Sequence, residues 1–600
     1  MNIKKMNFTK LNIFYIFLFI QIVLYILYIN NSTANIIFQD QFDFLNFLGK
    51  YYNGDLTFQD LWRGHLEHRT LGYNIIFLLN AIFFHLNTTL EMYFGAFILA
   101  ITSIILFKNY SRSLHQLGND KYKQFSSLFI IMLLFSLIQW ESIVFSLGIA
   151  EFIKNLFFIL TFVYLDLVIN FRTRKNIIVF ILFFICSILV FGGGYGPALV
   201  LSMIIILIIN LFISKSVKFS KNLKLLLYVL FLSSVLFLIY FYHIYEDNMV
   251  AEHASISQKI SFIFHHFINA IKYVLLSISS SVVGVNVADK YFSLNKNIII
   301  GTLIALLFVY SLIKFFKTKM YIKTWLPLLF FIYGFITFGL ILVGRFDFGI
   351  TYGMSSRYVP NTQFAIIGIV WILFYCLFLE IKVNASEVKK YKKTKIILYL
   401  LLIGVIFSGH LVTTIVEWKI SPYRKINFEK LRTIAMDIDK YSSSDLNMFQ
   451  YDESMVRNGL KILQKNNLSV YYDYKGQRIG SNLTSANLIS GWYPIEGEFR
   501  WTSKEAIGYF NIESESNLHI QGNIPDVYSN LVLSISIDDK IIMKSELKNG
   551  DFDISKKVEQ IGIKKVTLSL SDSFIPKQTG NSKDERELGI IIKSISFKRE

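Results

Sequence analysis

Eleven runs of mostly apolar residues recur through residues 1–417, and none follows. Each approaches the ~20 residues a helix needs to cross a bilayer. They lie at roughly 11–29, 90–107, 125–140, 152–170, 177–192, 195–213, 224–243, 297–315, 325–343, 363–381 and 395–417. A soluble chain of 600 residues would divide into about four domains. Composition rejects that division: 54% of residues are apolar and only 17% charged, with 57 Phe and 7 Pro. Cys186 and Cys376 both fall in apolar runs, which argues against a disulfide framework or a Cys-ligated zinc. No small-residue cleavage site follows Leu11–Ile29, so it reads as a first span rather than a leader.

The net charge of +18 has a location. Residues 418–600 hold 26 Lys plus Arg and 24 Asp plus Glu, so about +16 belongs to the apolar part. There it gathers in short clusters between runs, such as Lys108–Arg112, Arg172–Lys175, Lys215–Lys224, Lys314–Lys323 and Lys382–Lys395. Lys and Arg concentrate in cytoplasmic loops. With the N-terminus inside, eleven spans put every cluster in the cytoplasm and residues 418–600 outside. The charge therefore reports orientation and gives no support to a nucleic-acid partner.

Two further apolar stretches, about 71–86 and 263–283, read as interfacial or re-entrant helices, or alternatively as ordinary spans. The spans carry few ionisable residues: Glu141, Glu151 and Lys154 near outer ends, Asp166 and Glu380 near inner ends. Ion-coupled transporters usually carry charge near the midplane, so this scarcity argues against that class.

Polar groups collect in three outer loops, about 30–89, 244–296 and 344–362. The second carries Glu246, Asp247, Glu252, His253, His265, His266 and Lys272. In the first, Asp40 and Asp43 would share a helix face. A carboxylate against apolar surface can act as a general base; the alternative is an interfacial helix with acids facing water. His65, Glu67, His68 and Arg69 follow. If helical, His65, His68 and Arg69 share one face. They could anchor the loop through Arg–carboxylate bonds, contact an anionic headgroup, or ligate a divalent metal, though His-x-x-His alone is a weak metal signal. In the third loop Arg345 and Arg357 suit a phosphate or snorkelling at the interface. Tyr358 could add a hydrogen bond or belong to the aromatic belt. Gly192-Gly193-Gly194-Tyr195-Gly196 lacks the Lys-Ser/Thr of a phosphate loop and reads as a tight turn.

The arrangement resembles a GT-C-type integral membrane glycosyltransferase, most clearly over residues 1–110. Asp40 falls where that family has an acid near the start of its first outer loop. Thr70–Asn87 falls at its outer helix, and Glu91–Phe107 at its second span. The run from Asp40 to Arg69 and the Ser356-Arg357-Tyr358 motif are also similar to a group of bacterial membrane proteins. That group tends to have adjacent acids where this chain has Asp40-Gln41, and an Asn where it has Leu66. The resemblance implies sugar transfer at the outer face of a bacterial cytoplasmic membrane, with a polyprenyl-phosphate sugar as donor. The acceptor would be a cell-envelope glycan or glycolipid. Asp40 would be the base, Asp43 the reserve, and Arg345 and Arg357 would hold the phosphate. No cofactor is implied with certainty. The rivals are a glycan polymerase or ligase using lipid diphosphates, and a non-catalytic lipid or polysaccharide transporter.

Residues 418–482 carry helical signals. From 483 to 600, alternating runs such as Ala506–Ile512 and Leu531–Ile537 are separated by Asp538-Asp539 and Asn549-Gly550, which predicts a β-sandwich. Trp492, Tyr493 and Trp501 could stack on sugar rings or fill the sandwich core beside an Arg–acid cluster. The fold class expected is thus a polytopic α-helical membrane protein of about eleven spans followed by an extracytoplasmic, mainly β domain.

Overall fold

A computed structural model describes the chain except for residues 1–12, 66–67, 116, 118–119, 214–215, 243–255, 385–389, 437, 439–440, 473–487, 497–498, 513–514, 580–581, 583 and 599–600. The described residues form two compact units. One contains residues 1–34, 53–80 and 88–428; the other contains 35–52, 81–87 and 429–600.

The first unit is a helical bundle with, among the described residues, ten helices long and apolar enough to cross a membrane. They are Ile13–Ser32, Thr88–Ser113, Tyr122–Val144, Gly148–Asn170, Gly193–Ile213, Phe219–Phe241, Leu294–Lys317, Leu326–Phe348, Ser356–Lys382 and Lys393–Met436, the last extending beyond its apolar part. This is a multi-pass membrane protein. The apolar stretch at 263–283 belongs to two helices, Ser257–His265 and Phe267–Ser280, that meet at 98° and could count as an eleventh span. The stretch at 71–86 is the shorter apolar helix Leu71–Phe84. The run expected at 177–192 is a 12-residue helix, Arg174–Ile185, continued by a five-residue π turn, Cys186–Val190.

Ser356–Lys382 is the central helix, with most of its length buried. Two glycines allow it to pack tightly on Leu326–Phe348. A Cβ on Gly334 would lie 2.5 Å from the Ala365 nitrogen, and one on Gly368 would lie 2.5 Å from the Pro327 oxygen. Small residues at such crossings let helix backbones approach where no water drives association. At one end of the bundle Asp166 accepts from the Trp325 amide (2.7 Å), Thr324 Oγ1 (3.1 Å) and Arg112 Nη2 (3.4 Å). Lys395 pairs with Glu380.

In the second unit, a 3₁₀ helix, Gln39–Phe44, leads into the helix Leu45–Asn53. Phe42 and Leu45 pack against Gly459 of the helix Glu453–Lys465, where an added Cβ would lie 2.6 Å from Leu45 Cδ1. His85 stacks on Tyr472, with ring centres 3.7 Å apart. The mainly β domain follows, as expected: β3 (Leu488–Glu496), β4 (Phe499–Ile512), β5 (Ser516–Ile524), β6 (Asn530–Ile537), β7 (Lys540–Lys548), β8 (Gly550–Val558), β9 (Gly562–Leu570) and β10 (Ile591–Lys598). β1 and β2 are the two short strands Gly64–His65 and His68–Arg69 of the first unit.

These eight strands form one sheet in the order β7-β6-β9-β4-β10-β5-β8, with β3 also on β4. β4 joins its two wings. Arg500 and Trp501 pair with β10, while Glu505–Ile512 pair with β9. A long strand that serves two layers in this way turns a sheet back over its own core. Leu531, Leu533, Ile535 and Ile537 of β6 share that core with Leu518 and Ile520 of β5 and Ile592 and Ile595 of β10. The outermost strands β7 and β8 are joined through Asn549 alone, so the sheet nearly closes. Asp538 and Asp539 both take left-handed φ (47° and 63°) between the paired residues Ile537 and Lys540. Two consecutive left-handed residues match the twist of a two-residue hairpin.

Candidate functional site

Opposite the Asp166 end, the bundle gathers most of the polar groups singled out in the sequence. Arg345 ends the helix Leu326–Arg345, and Arg357 and Tyr358 open the next long helix. Both guanidinium groups lie within electrostatic reach of the Tyr358 phenol, which hydrogen-bonds Tyr352. Arg357 lies over the Tyr352 ring, 5.9 Å from its centre. Tyr273, from the bent helix pair, joins the same group. A Cβ on Gly353 would lie 2.4 Å from Ser277 Oγ, so this loop is held tightly on Phe267–Ser280.

Two carboxylates support the loop. Glu141 Oε2 accepts from Ser355 Oγ (3.1 Å), Ser356 Oγ (2.6 Å) and the Arg357 amide (2.9 Å). Its other oxygen lies 3.8 Å from Arg357 Nη2. Glu151 pairs with Lys154 and accepts from Asn361 Nδ2 at 2.6 Å. Lys154 Nζ sits 3.9 Å from the centre of the Tyr195 ring, and Tyr195 lies near Tyr358 and Arg345. Arg345, Arg357, Lys154 and a group of phenols thus meet at one end of the bundle. The spacing of Glu141, Glu151 and Lys154 in sequence gave no sign that they would converge on the Arg357 loop.

The His65–Arg69 run takes a different form from the helix considered for it. It is a hairpin, with His65 opposite His68 and Gly64 opposite Arg69. Glu67 lies outside the described residues, as do Glu246, Asp247, Glu252 and His253. Arg69 is buried and bonds main-chain oxygens. Its Nε donates to Tyr240 O (3.0 Å), its Nη1 to Trp62 O (2.6 Å) and its Nη2 to Tyr242 O. The guanidinium also lies over the Trp62 ring, at 5.0 Å. It closes the exposed carbonyl end of the helix Ser216–Phe241, where a cation is favoured. Among the described residues no three His, Cys, Asp or Glu side chains converge as metal ligands would.

His68 rests on the glycine turn. A Cβ on Gly194 would lie 2.3 Å from His68 Cε1. Gly194→Ala should therefore displace the hairpin and cost about 1–3 kcal/mol, as overpacking does. Thermal unfolding in detergent measures it, and a change below about 0.5 kcal/mol would show that the ring simply swings away.

Asp40 and Asp43 belong to the second unit. They stand one turn apart on the Gln39–Phe44 3₁₀ helix, where residues i and i+3 eclipse. The sequence expectation of a shared face thus holds in a different helix type. Tyr451 hydrogen-bonds Asp43, and both carboxylates act electrostatically on its phenol. Burial, then Asp43 and Asp40, push that phenol well above its ordinary range, so it stays a donor. Among the described residues no hydrogen bond or ion pair holds the half-buried Asp40.

In the β domain the three candidate stacking aromatics have structural partners. Trp492 Nε1 donates to Ile507 O (3.0 Å), and its ring packs on the core of the nearly closed sheet, which stands in place of the expected two-sheet sandwich. Tyr493 donates to Glu587 O (2.8 Å) beneath Arg586. Trp501 meets Phe574 edge to face. Arg586 binds Asp584 and Glu496, both at 2.7 Å. Compared with known proteins, the chain matches no protein-family model and no curated protein.

Proposed function

We propose that this protein is a bacterial membrane glycosyltransferase of the GT-C type. It transfers a sugar from a polyprenyl-phosphate donor to a cell-envelope glycan or glycolipid at the outer membrane face. The observation that carries this reading is the convergence of Arg345, Arg357 and the Tyr358–Tyr352 pair at one end of an apolar bundle. Guanidinium groups remain charged beside lipid and bind phosphate bidentately. A phenol beside them offers a further donor as negative charge develops on the leaving group. Asp40, which accepts no hydrogen bond among the described residues, would take the acceptor's proton while the acceptor oxygen attacks the anomeric carbon with inversion and the polyprenyl phosphate leaves.

Orientation follows from charge. Arg112, Arg174, Lys314, Lys317 and Lys395 belong to the end of the bundle that contains Asp166. By the positive-inside rule that end faces the cytoplasm. The Arg357 end, the exit of the last long helix and the β domain would then be extracytoplasmic. The β domain's role in this reading is to bind or orient the acceptor glycan.

Membranes containing the protein, supplied with donor and acceptor, should form a new glycosidic bond. Arg345→Ala and Arg357→Ala should each lower the rate roughly 10²-fold, with Lys replacements intermediate because charge survives and the bidentate fork does not. Transfer from lipid-diphosphate donors alone would identify a polymerase or ligase. Lipid movement without a new bond would reject the enzyme reading.

A further inference from the structure

We infer that Glu141 and Arg424 are positioning residues, Glu141 setting the place of Arg357 and Arg424 setting Glu141 through the ring of Trp140. For catalysis, this rests on the reading of Arg357 as a phosphate ligand. The geometry itself does not. One carboxylate oxygen of Glu141 takes donors from three successive residues, Ser355, Ser356 and Arg357. The loop answers: the Glu141 amide donates to Ser356 Oγ at 3.3 Å. Two elements 215 residues apart in sequence are thereby fixed to each other, backbone to side chain in both directions. Glu141 follows Trp140 at the start of a five-residue helix, Trp140–Val144.

Among the described residues the buried indole nitrogen of Trp140 has no hydrogen-bond partner. What orients the ring is the Arg424 guanidinium, centred 3.6 Å above it. Arg424 is fixed in turn. Its Nη1 lies 2.6 Å from Glu417 Oε2 and donates to Tyr28 Oη at 2.8 Å. Asn286 Nδ2 donates to the other Glu417 oxygen at 2.6 Å. A continuous set of contacts thus runs from the last long helix, through Trp140, to the amide and guanidinium of Arg357. A cation–π stack of this kind depends on a flat guanidinium over a flat ring. Lysine at 424 would keep the ion pair with Glu417 and lose the plane.

Hydrogen exchange on the full-length protein in nanodiscs tests this without any substrate. Arg424→Lys should speed exchange in the peptide containing Ser355–Tyr358 by about 10-fold, although residue 424 does not touch it. Trp140→Leu should do the same. Trp140→Phe, which keeps an aromatic face, should leave protection within about twofold. If Leu protects the loop as well as Phe, Trp140 only fills space and the inference falls. If Arg424→Lys changes exchange only around residues 413–428, it falls as well. In a transfer assay the same Lys variant should raise donor KM about tenfold with kcat within about twofold. The expected exchange pattern in a protein that transfers no sugar would uphold the positioning chain and reject the function.

Discussion

Asp40→Asn should lower sugar transfer by about 10²–10⁴-fold, the contribution of a positioned general base, with little change in thermal stability. Asparagine preserves shape and removes only the ability to accept the proton. The two acids of this segment are not equivalent in their surroundings. Asp43 is engaged by the Tyr451 phenol, which remains protonated and donates to it. Asp40 has no comparable partner among the described residues. Asp43→Asn can still accept from Tyr451 and should cost about tenfold or less. Purified variants reconstituted with a polyprenyl-phosphate sugar and scored for product decide the order. An inactive Asp43→Asn beside an active Asp40→Asn would move the base to Asp43. Two fully active variants would remove this segment from the chemistry.

The membrane half was legible because a bilayer dictates segment length and apolarity together. Ten of the eleven expected runs lie in long helices, and the short one at 177–192 ends in a π turn instead. The stretch at 263–283 stood out because His265, His266 and Lys272 interrupt it, and the chain bends at His266. In the β domain, strands with buried alternate residues were visible, as in β6. β8 was not, because Gly550–Val558 carries mostly exposed polar residues at the sheet edge. β3 was hidden for another reason: its register on β4 shifts three times, and Gly491 takes a φ of 74°.

The candidate site was legible only in part. Arg357 and Tyr358 were visible as rare polar residues between spans. Their supports were not, because Glu141 and Asn361 are joined to their partners by tertiary packing rather than by sequence spacing. Arg69 shows the limit from the other side. It bonds the main-chain oxygens of Tyr240, Trp62 and Tyr242, partners that its charge alone did not announce. An arginine's five donors suit the unsatisfied carbonyls of a helix end as well as they suit an anion.

The largest stability effect should come from a residue that no local pattern marked. Glu417→Ala should destabilise the bundle by about 3–5 kcal/mol, the cost of leaving a buried charge without its partner. Glu417 is fully buried, and its partner Arg424 is largely so. Removing the carboxylate leaves the guanidinium facing Tyr28 and Trp140, and also orphans the Asn286 amide. The pair as a whole is a different matter. Taking two charges out of water offsets much of their attraction, so Glu417→Gln combined with Arg424→Met should cost less than Glu417→Ala alone. A double-mutant cycle followed by thermal unfolding in one detergent isolates the coupling. A single-variant loss below about 1 kcal/mol would place the pair among exposed ion pairs, and the last helix would then be held by Asn31–Ser421 and Lys425–Asn30 instead. The expected result is the opposite, because these two surviving contacts lie in part-buried and exposed surroundings, where hydrogen bonds contribute only about 0.5–1.5 kcal/mol each. Both charges lie on the last long helix, and it is Tyr28, accepting from Arg424 and donating to Glu417, that joins them to the first.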